Sequence, residues 1–343
     1  MSSKTKSAFE KIANEGISLG RSESRGVFDE IMSGNVDPSL LGAFLSAIKM
    51  KGESVDEIVG AAQAMRARAA FINAGGLSPL DTCGTGGGSR GTFNISTTCA
   101  FIASGAGVCV AKHGNRAVAS KCGSGDVLAE LGFNLDVHPA VMEHCLQENG
   151  IAFLFAQKMH PAMKHAAAVR RALGVRTIFN ILGPLVNPAG ATAQVIGVFE
   201  ASLTEMMAEC LRELGVRRAY VVHGDDDMDE ISIYAPTRVS ELREGRIKTY
   251  EFEASRYVDC SFPESDIDGG DARVNAEILR GVLENRIGGG AREICVINSA
   301  AAIVAAGLAE SFEVGVKMAR ESIDSGAALS KLEKLLEFSN QGL

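Results

Sequence analysis

None of the eight cysteines, at positions 83, 99, 109, 122, 145, 210, 260 and 295, forms a C-x-x-C pair. That argues against a structural zinc site, whose ligands usually come in such pairs. Most of these cysteines stand among apolar, Gly or Ala residues, where a free thiol behaves as a small hydrophobe and a reducing cytosol suits it. No apolar run reaches the roughly 18 residues that suggest a membrane helix. The first residues, Met1 to Ser7, lack an apolar signal region, so a cytoplasmic protein is expected. A basic excess is missing too. The net charge is −8, which argues against a nucleic-acid-binding surface. Internal repeats and low-complexity tracts are also absent.

One further absence is local. Between positions 82 and 125 there is no Asp or Glu, while Arg90, Lys112, His113, Arg116 and Lys121 all fall there. In an acidic chain this is an electropositive zone, as expected around a polyanionic ligand.

What the chain does have is 343 residues, 46% hydrophobic and 22% charged, enough for a sizeable core in two domains or in one with an appendage. Residues 8–70 read as helix only. Ser54-Val55-Asp56-Glu57 is a capping box, and Val55, Ile58, Val59, Ala62 and Met65 repeat behind it at helical spacing. Leu40, Leu41, Phe44, Leu45 and Ile48 form an earlier stripe, after a break at 34–38. The apolar excess of this module serves its own core or a partner subunit. Residues 75–79 form a turn-rich hinge. Strand candidates follow at 107–111, 151–155, 194–199, 219–223 and 293–297, with helices such as 203–214 between them. Short apolar runs separated by helices imply an α/β fold with a mainly parallel sheet covered on both faces. Asn298 reads as the N-cap of a helix over 299–308. Ser330 to Glu333 read as the cap of a final helix carrying Leu332, Leu335 and Leu336. Residues 158–178 read as helix again, and periodicity leaves their domain open.

The stretch from Asp81 to Thr97 packs five glycines, 84, 86, 87, 88 and 91, beside Thr85, Ser89, Thr92, Asn94, Ser96 and Thr97. Glycines let a backbone approach a ligand, and successive N–H groups at a helix start form an anion nest. The stretch reads as a phosphate cradle, with a plain glycine-rich turn as the competing reading. It nominally matches G-x-G-x-x-G, but no acidic residue follows about 20 positions on to hold a ribose. The P-loop pattern fails for want of Gly-Lys-Ser/Thr. Lys112-His113-Gly114-Asn115-Arg116 follows directly on a strand candidate, where open α/β sheets bind ligands. Lys112 is a candidate phosphate contact, His113 and Asn115 are neutral partners, and Ser124 in the turn 122–126 is a further donor. Residues 223–230 place clustered carboxylates after another strand, which suits Mg²⁺ bridging to phosphates or a plain acidic surface loop. Arg170 and Arg171 include a candidate grip for a substrate carboxylate. Arg176 leads into a Gly-Pro and Asn-Pro loop up to Pro188.

Together these stretches resemble the anthranilate phosphoribosyltransferase family of tryptophan biosynthesis. The similar blocks are Gly84 to Gly87 with Asn94 to Thr97, Lys112 to Arg116 with Gly123 to Asp126, Arg176 to Pro188, and Asp229-Glu230. Lys51 to Glu53 and Asn298 to Ala301 also match, so the likeness spans nearly the whole chain. It implies a small helical domain (1–74, joined by about 158–178) and a larger α/β domain (75–157 and 179–343), with homodimerisation through the helical part. It implies transfer of the 5-phosphoribosyl group from phosphoribosyl pyrophosphate to the amine of anthranilate, releasing pyrophosphate. By position, phosphoribosyl pyrophosphate falls to Gly84, Thr85, Gly86, Gly87, Thr92, Asn94, Ser96, Thr97, Lys112 and Ser124. Anthranilate falls to Gly84, His113, Asn115, His160, Arg170 and Pro184. Two Mg²⁺ ions fall to Ser96, Asp229 and Glu230. Lys112, His113 and Arg170 act by electrostatics and positioning, without a covalent nucleophile.

Two departures from the family pattern stand out. Gly88 and Ser89 occupy places where the family has Asp and Gly, so backbone N–H groups and Ser89 must replace that carboxylate. Asp227 occupies a usual Gly place in the acidic loop. The competing readings are a pyrimidine nucleoside phosphorylase-like enzyme and a non-catalytic nucleic-acid-binding homologue.

Overall fold

The computed structural model describes residues 3–88, 90–117 and 121–341. The chain opens with four helices, α1 (Lys4–Glu15), α2 (Arg21–Met32), α3 (Pro38–Lys51) and α4 (Val55–Arg66). The Ser54 box forms as its sequence predicts. Ser54 Oγ accepts the Glu57 N–H, and Glu57 Oε2 accepts the Ser54 N–H at 2.8 Å. The same buried carboxylate accepts the Leu19 N–H at 2.9 Å and pairs with Lys51 at 2.9 Å, so one Glu ties three segments of the bundle.

The remaining helices are α5 (Ile95–Gly105), α6 (Ser124–Glu130), α7 (Pro139–Asn149), α8 (Ala156–Met159), α9 (Lys164–Leu173), α10 (Phe179–Leu182), α11 (Leu203–Glu213), α12 (Ala272–Leu283), α13 (Gly289–Ala305), α14 (Phe312–Asp324) and α15 (Ala327–Asn340). The strands are β1 (Leu80–Asp81), β2 (Val110–Gly114), β3 (Ile151–Phe155), β4 (Ala193–Gly197), β5 (Arg218–Gly224), β6 (Thr237–Arg243) and β7 (Arg246–Phe252). They lie in the order β3-β2-β1-β4-β5-β6-β7. The first five are parallel, and β6 and β7 are antiparallel. The chain builds leftward from β1 to β3, then rightward from β4. The order reverses between β1 and β4, and a ligand crevice opens at the carboxyl ends of strands at such a point.

Period-two alternation feeds two cores. Val195, Tyr220 and Val222 face one layer with α5, α12 and α13. Their neighbours Ile196, Ala219 and Val221 face α11 and merge with Phe28, Phe44 and Ile58 of the helical bundle. The bundle therefore shares one apolar core with a sheet face. Helix α9 packs against α2 and α3, and α4 against α11.

The structure corrects four expectations. Residues 293–297 are helix, not strand. They lie inside the 17-residue α13, buried on nearly every side, and a short apolar run does not distinguish a buried strand from a buried helix. Asn298 is consequently mid-helix and caps nothing. Ser330 lies inside α15, which starts after Gly326 in the left-handed region (φ 76°). Strand β2 begins at Val110 rather than at 107, and it contains Lys112 and His113. Charged residues do not end this strand, because both side chains are buried while paired in register with Phe153 and Leu154 of β3. Sequence reading also misses β6 and β7. They are half-polar strands at one end of the sheet, β7 forming its edge, joined by Glu244 and Gly245 at φ 52° and 74°, a two-residue hairpin turn.

Candidate active site

The glycine loop leaves β1 at the reversal point. Thr85 N–H donates to Gly197 O at the end of β4 (2.8 Å), and Thr85 Oγ1 accepts the Phe199 N–H (3.1 Å). Gly86 and Gly87 turn the loop with φ of 66° and 87°. Arg176 stacks 4.0 Å over the Phe199 ring and donates to Gly87 O at 2.9 Å, closing one side of the loop. The loop then enters α5, whose first turn carries Ser96 and the buried Thr97.

Strand β2 brings Lys112 beneath this turn. Its Nζ donates to Thr82 O and Thr82 Oγ1, each at 3.1 Å, and to Ser96 Oγ at 3.4 Å. All three acceptors are uncharged, so a buried ammonium faces the cradle without a hydrogen-bonded counter-ion among them. Beyond β5, the acidic loop carries Asp229 and Glu230 back toward α5. Glu230 Oε1 accepts the Ser96 N–H at 3.2 Å, and Asp229 accepts the Gly88 N–H. Both carboxylates keep some solvent exposure but sit among dense protein atoms. Burial raises both, and the neighbouring Asp229 raises Glu230 further, well above the usual carboxylate range. No Lys or Arg pairs with either one among the described residues. Three predicted metal ligands, Ser96, Asp229 and Glu230, are thus brought together.

A second group lies on the His113 side. His113 Nδ1 is 3.1 Å from Gly183 O; a carbonyl only accepts, so Nδ1 carries the proton. His160 donates likewise to Val186 O. The two rings meet edge to face with centroids 5.0 Å apart, and both Nε2 atoms are buried without a partner among the described residues. Burial lowers His113 to about 3, with His160 adding to the effect, and lowers His160 to about 4. Both rings are neutral acceptors. Pro184 follows Gly183 in the same tight turn, and Pro184 O accepts from Gln194 at 2.7 Å. Arg170, on α9, lies 5.2 Å over the Phe179 ring and pairs with no carboxylate among the described residues; burial lowers its pKa.

Some predicted residues are otherwise engaged. Asn94 donates from Nδ2 to Cys122 O (3.3 Å) and accepts at Oδ1 from Asn275 (2.9 Å). Thr92 makes an isolated bridge with Asp268. Ser124 Oγ donates to Asn115 O at 3.3 Å, while the Asn115 side chain is exposed and accepts the Arg116 N–H. Asp81, Cys83 and His113 approach within 4.8 Å of one another. Asp81 is raised to about 6 by burial, but its oxygens are already used by the His113 N–H (3.0 Å) and Asn187 (2.7 Å). This carboxylate ties β1 to β2 and to the 187 turn.

Family models match twice: a glycosyl transferase family helical bundle domain over residues 6–69, and a glycosyl transferase family a/b domain over 77–329. An anthranilate phosphoribosyltransferase from Desulfosudis oleivorans is 52% identical over 94% of this chain and 95% of its own. The chain belongs to the anthranilate phosphoribosyltransferase family. The crystal structure of the Thermus thermophilus anthranilate phosphoribosyltransferase superposes with a TM-score of 0.92 at 38% identity, covering 99% of this chain and all of that one. The Saccharomyces cerevisiae anthranilate phosphoribosyltransferase in complex with PRPP and Mg gives 0.88 at 26% identity, covering 99% and 98%.

The two departures from the anthranilate phosphoribosyltransferase pattern acquire a physical meaning. A Cβ at Gly88 would collide with Asp229 Oδ1, so in this loop position the backbone itself backs onto the carboxylate. Asp227 sits at φ 61°, the left-handed region that explains a usual Gly there and that Asp tolerates better than most residues. Ser89, expected to stand in for the lost carboxylate, lies outside the described residues. Two positioning residues escape sequence reading. Asn298 accepts the Ile231 N–H (2.8 Å) and donates to Ile231 O (2.9 Å), clamping the residue after Glu230. Gly197 lies so close to Asp229 O that no Cβ fits. Only the family-like Asn298 to Ala301 block hints at the first.

Proposed function

We propose that this chain transfers the 5-phosphoribosyl group of phosphoribosyl pyrophosphate to the amine of anthranilate, releasing pyrophosphate, as a step of tryptophan biosynthesis. The observation that carries the reading is the meeting, at the carboxyl ends of the central strands, of an anion cradle with two neutral histidines, followed on α9 by Arg170, which pairs with no carboxylate among the described residues. The yeast relatives solved in complex with PRPP and Mg and with 4-fluoroanthranilate support the same two substrates.

The loop N–H groups from Gly84 to Gly88, with Lys112, receive the pyrophosphate, whose charge grows as its C1′–O bond breaks. Preorganised donors at such a position are typically worth about 3–4 kcal/mol each. Arg170 fixes the anthranilate carboxylate and orients the ring. The aromatic amine is neutral near pH 7, so its lone pair forms the C1′–N bond without prior deprotonation. His113 Nε2, a bare lone pair, accepts an amine N–H and takes the proton once the nitrogen becomes cationic. His160 Nε2 is the second acceptor.

Adjacent carboxylates, the first raising the second and neither paired with a Lys or Arg among the described residues, fit a hard cation. Ser96, Asp229 and Glu230 would hold Mg²⁺, two ions in this reading, and the metal would supply charge neutralisation on the leaving group. We also assign homodimerisation to the helical part, on the strength of Met50 and Ile17, which are 88% and 47% exposed. Sedimentation at micromolar concentration would show a monomer if that is wrong.

The experiment for the activity is direct. Purified chain, Mg²⁺ and phosphoribosyl pyrophosphate should consume anthranilate, followed by its fluorescence, with equimolar pyrophosphate. No turnover across a wide range of Mg²⁺ overturns the reading.

A further inference from the structure

Arg90 belongs to the acid-free stretch, yet its charge is not left for a ligand. Nη1 lies 3.2 Å from Asp226 Oδ2, and Nη2 lies 2.6 Å from Glu264 Oε2. The guanidinium also sits 5.3 Å from the centre of the Tyr234 ring. Asp226 Oδ2 accepts from Ser232 Oγ at 2.8 Å, and the Tyr234 hydroxyl donates to Pro263 O at 2.9 Å. Three segments therefore meet at one side chain: the glycine loop, the acidic loop after β5, and the turn at 263–264. Just beyond, the Gly269 N–H donates to Gly91 O (2.9 Å) and the Phe93 N–H to Ile267 O (3.1 Å), continuing the same seam.

A glycine-rich loop loses more conformational entropy on ordering than any other kind. A loop that must order around its ligand binds less tightly than one already held in place. At Gly88 the loop also lies in contact with Asp229, and it has no side chain there to fix that approach. The fixing contacts come from outside the glycines, from Arg176 on one side and Arg90 on the other.

We propose that Arg90 is a positioning residue, a strap that holds the glycine loop against the acidic loop through Asp226 and Glu264 so that its N–H groups already face the pyrophosphate. This rests on the phosphoribosyl pyrophosphate reading of the loop and assigns its control to a residue outside the cradle. The alternative role for Arg90 is a direct phosphate contact, and the two differ in sign. If Arg90 grips phosphate, removing its carboxylate partners frees it and strengthens binding. If Arg90 is a strap, removing them loosens the loop and weakens binding.

The test compares wild type, Arg90→Ala, Arg90→Lys and the double variant Asp226→Asn/Glu264→Gln as full chains. Asp226 Oδ1 is buried without a partner among the described residues, so Arg90→Ala leaves a stranded carboxylate. The double variant avoids that and keeps the result readable. Two quantities are measured: amide hydrogen exchange of peptides covering 84–92 without ligand, and both substrate KM values. The strap predicts faster exchange in Arg90→Ala and in the double variant. It predicts a phosphoribosyl pyrophosphate KM raised about threefold to fivefold in each, the scale of a partly exposed ion-pair network. The anthranilate KM stays unchanged, and Arg90→Lys recovers part of the loss. Unchanged exchange in Arg90→Ala, or a lowered phosphoribosyl pyrophosphate KM in the double variant, overturns the strap. A wild type that shows no turnover at all overturns the activity instead, and the exchange comparison still decides the strap.

Discussion

On one side of the cleft Lys112, Asp229 and Glu230 are ionisable groups gathered around a loop of backbone donors. On the other, His113 and His160 are held neutral by burial, and Arg170 on α9 pairs with no carboxylate among the described residues. In the proposed reaction the first side receives an ion whose charge changes. In the same proposal the second receives an aromatic ring whose amine has to stay unprotonated. On that proposal charge gathers where the leaving group needs it, and the two imidazoles stay uncharged where a lone pair must remain free.

The largest test of this contrast is Glu230→Gln. Gln keeps the size and an acceptor for the Ser96 N–H but removes half of the carboxylate pair. A site that needs both charges to hold Mg²⁺ should lose about a hundredfold to a thousandfold in kcat/KM for phosphoribosyl pyrophosphate, the scale of removing a preorganised electrostatic contact. The loss should be partly recovered by raising Mg²⁺. Steady-state rates over a metal titration, with Mg²⁺ binding by calorimetry in parallel, check this. Retained activity would make Glu230 a structural acceptor and break the contrast on its charged side.

Next in size is Arg170→Ala. A guanidinium with no carboxylate partner among the described residues is available for a substrate carboxylate, and a charge-assisted hydrogen bond is worth about 1.5–3 kcal/mol, or roughly tenfold to a hundredfold. The anthranilate KM should rise by that factor while the phosphoribosyl pyrophosphate KM holds. An unchanged anthranilate KM removes Arg170 from the pocket. A rise in both KM values would show that the halves are not separate.

Much of this division is legible in residue order, because its parts are contiguous. The glycines and hydroxyls of 84–97 sit together in the chain, and so do Lys112 with His113 and Asp229 with Glu230. Their convergence follows from parallel strands whose ends share an edge. What escapes is long-range or conformational. Asn298 looks like a helix cap because Asn favours caps, whereas its amide serves Ile231, 67 positions away. Residues 293–297 look like a strand because an apolar run carries no period of its own. The neutrality of the two histidines depends on burial that only the folded chain supplies, with the Gly183 and Val186 carbonyls fixing which ring nitrogen carries the proton. Arg90 looks like part of a cationic zone because no local pattern shows that Asp226 and Glu264 fold onto it.

The smallest effect concerns the neutral side and is read in stability rather than rate. In the native state His160 titrates at about 4, below the roughly 6.5 of an exposed imidazole. Between those values the unfolded chain binds a proton that the native chain refuses. The free energy of unfolding therefore falls as pH drops through that window, by about 1–2 kcal/mol for one such group between pH 7 and pH 5. Asp81, raised to about 6, acts in the opposite direction over part of the same range, so the total slope does not isolate His160. The difference between wild type and His160→Gln does. Gln can still donate to Val186 O but has no proton to gain. In urea unfolding at pH 7 and pH 5, the variant should lose less stability than wild type by about that 1–2 kcal/mol. Equal losses would mean that native His160 accepts its proton as readily as the unfolded chain does, and the amine pocket would then be as open to charge as the phosphate side.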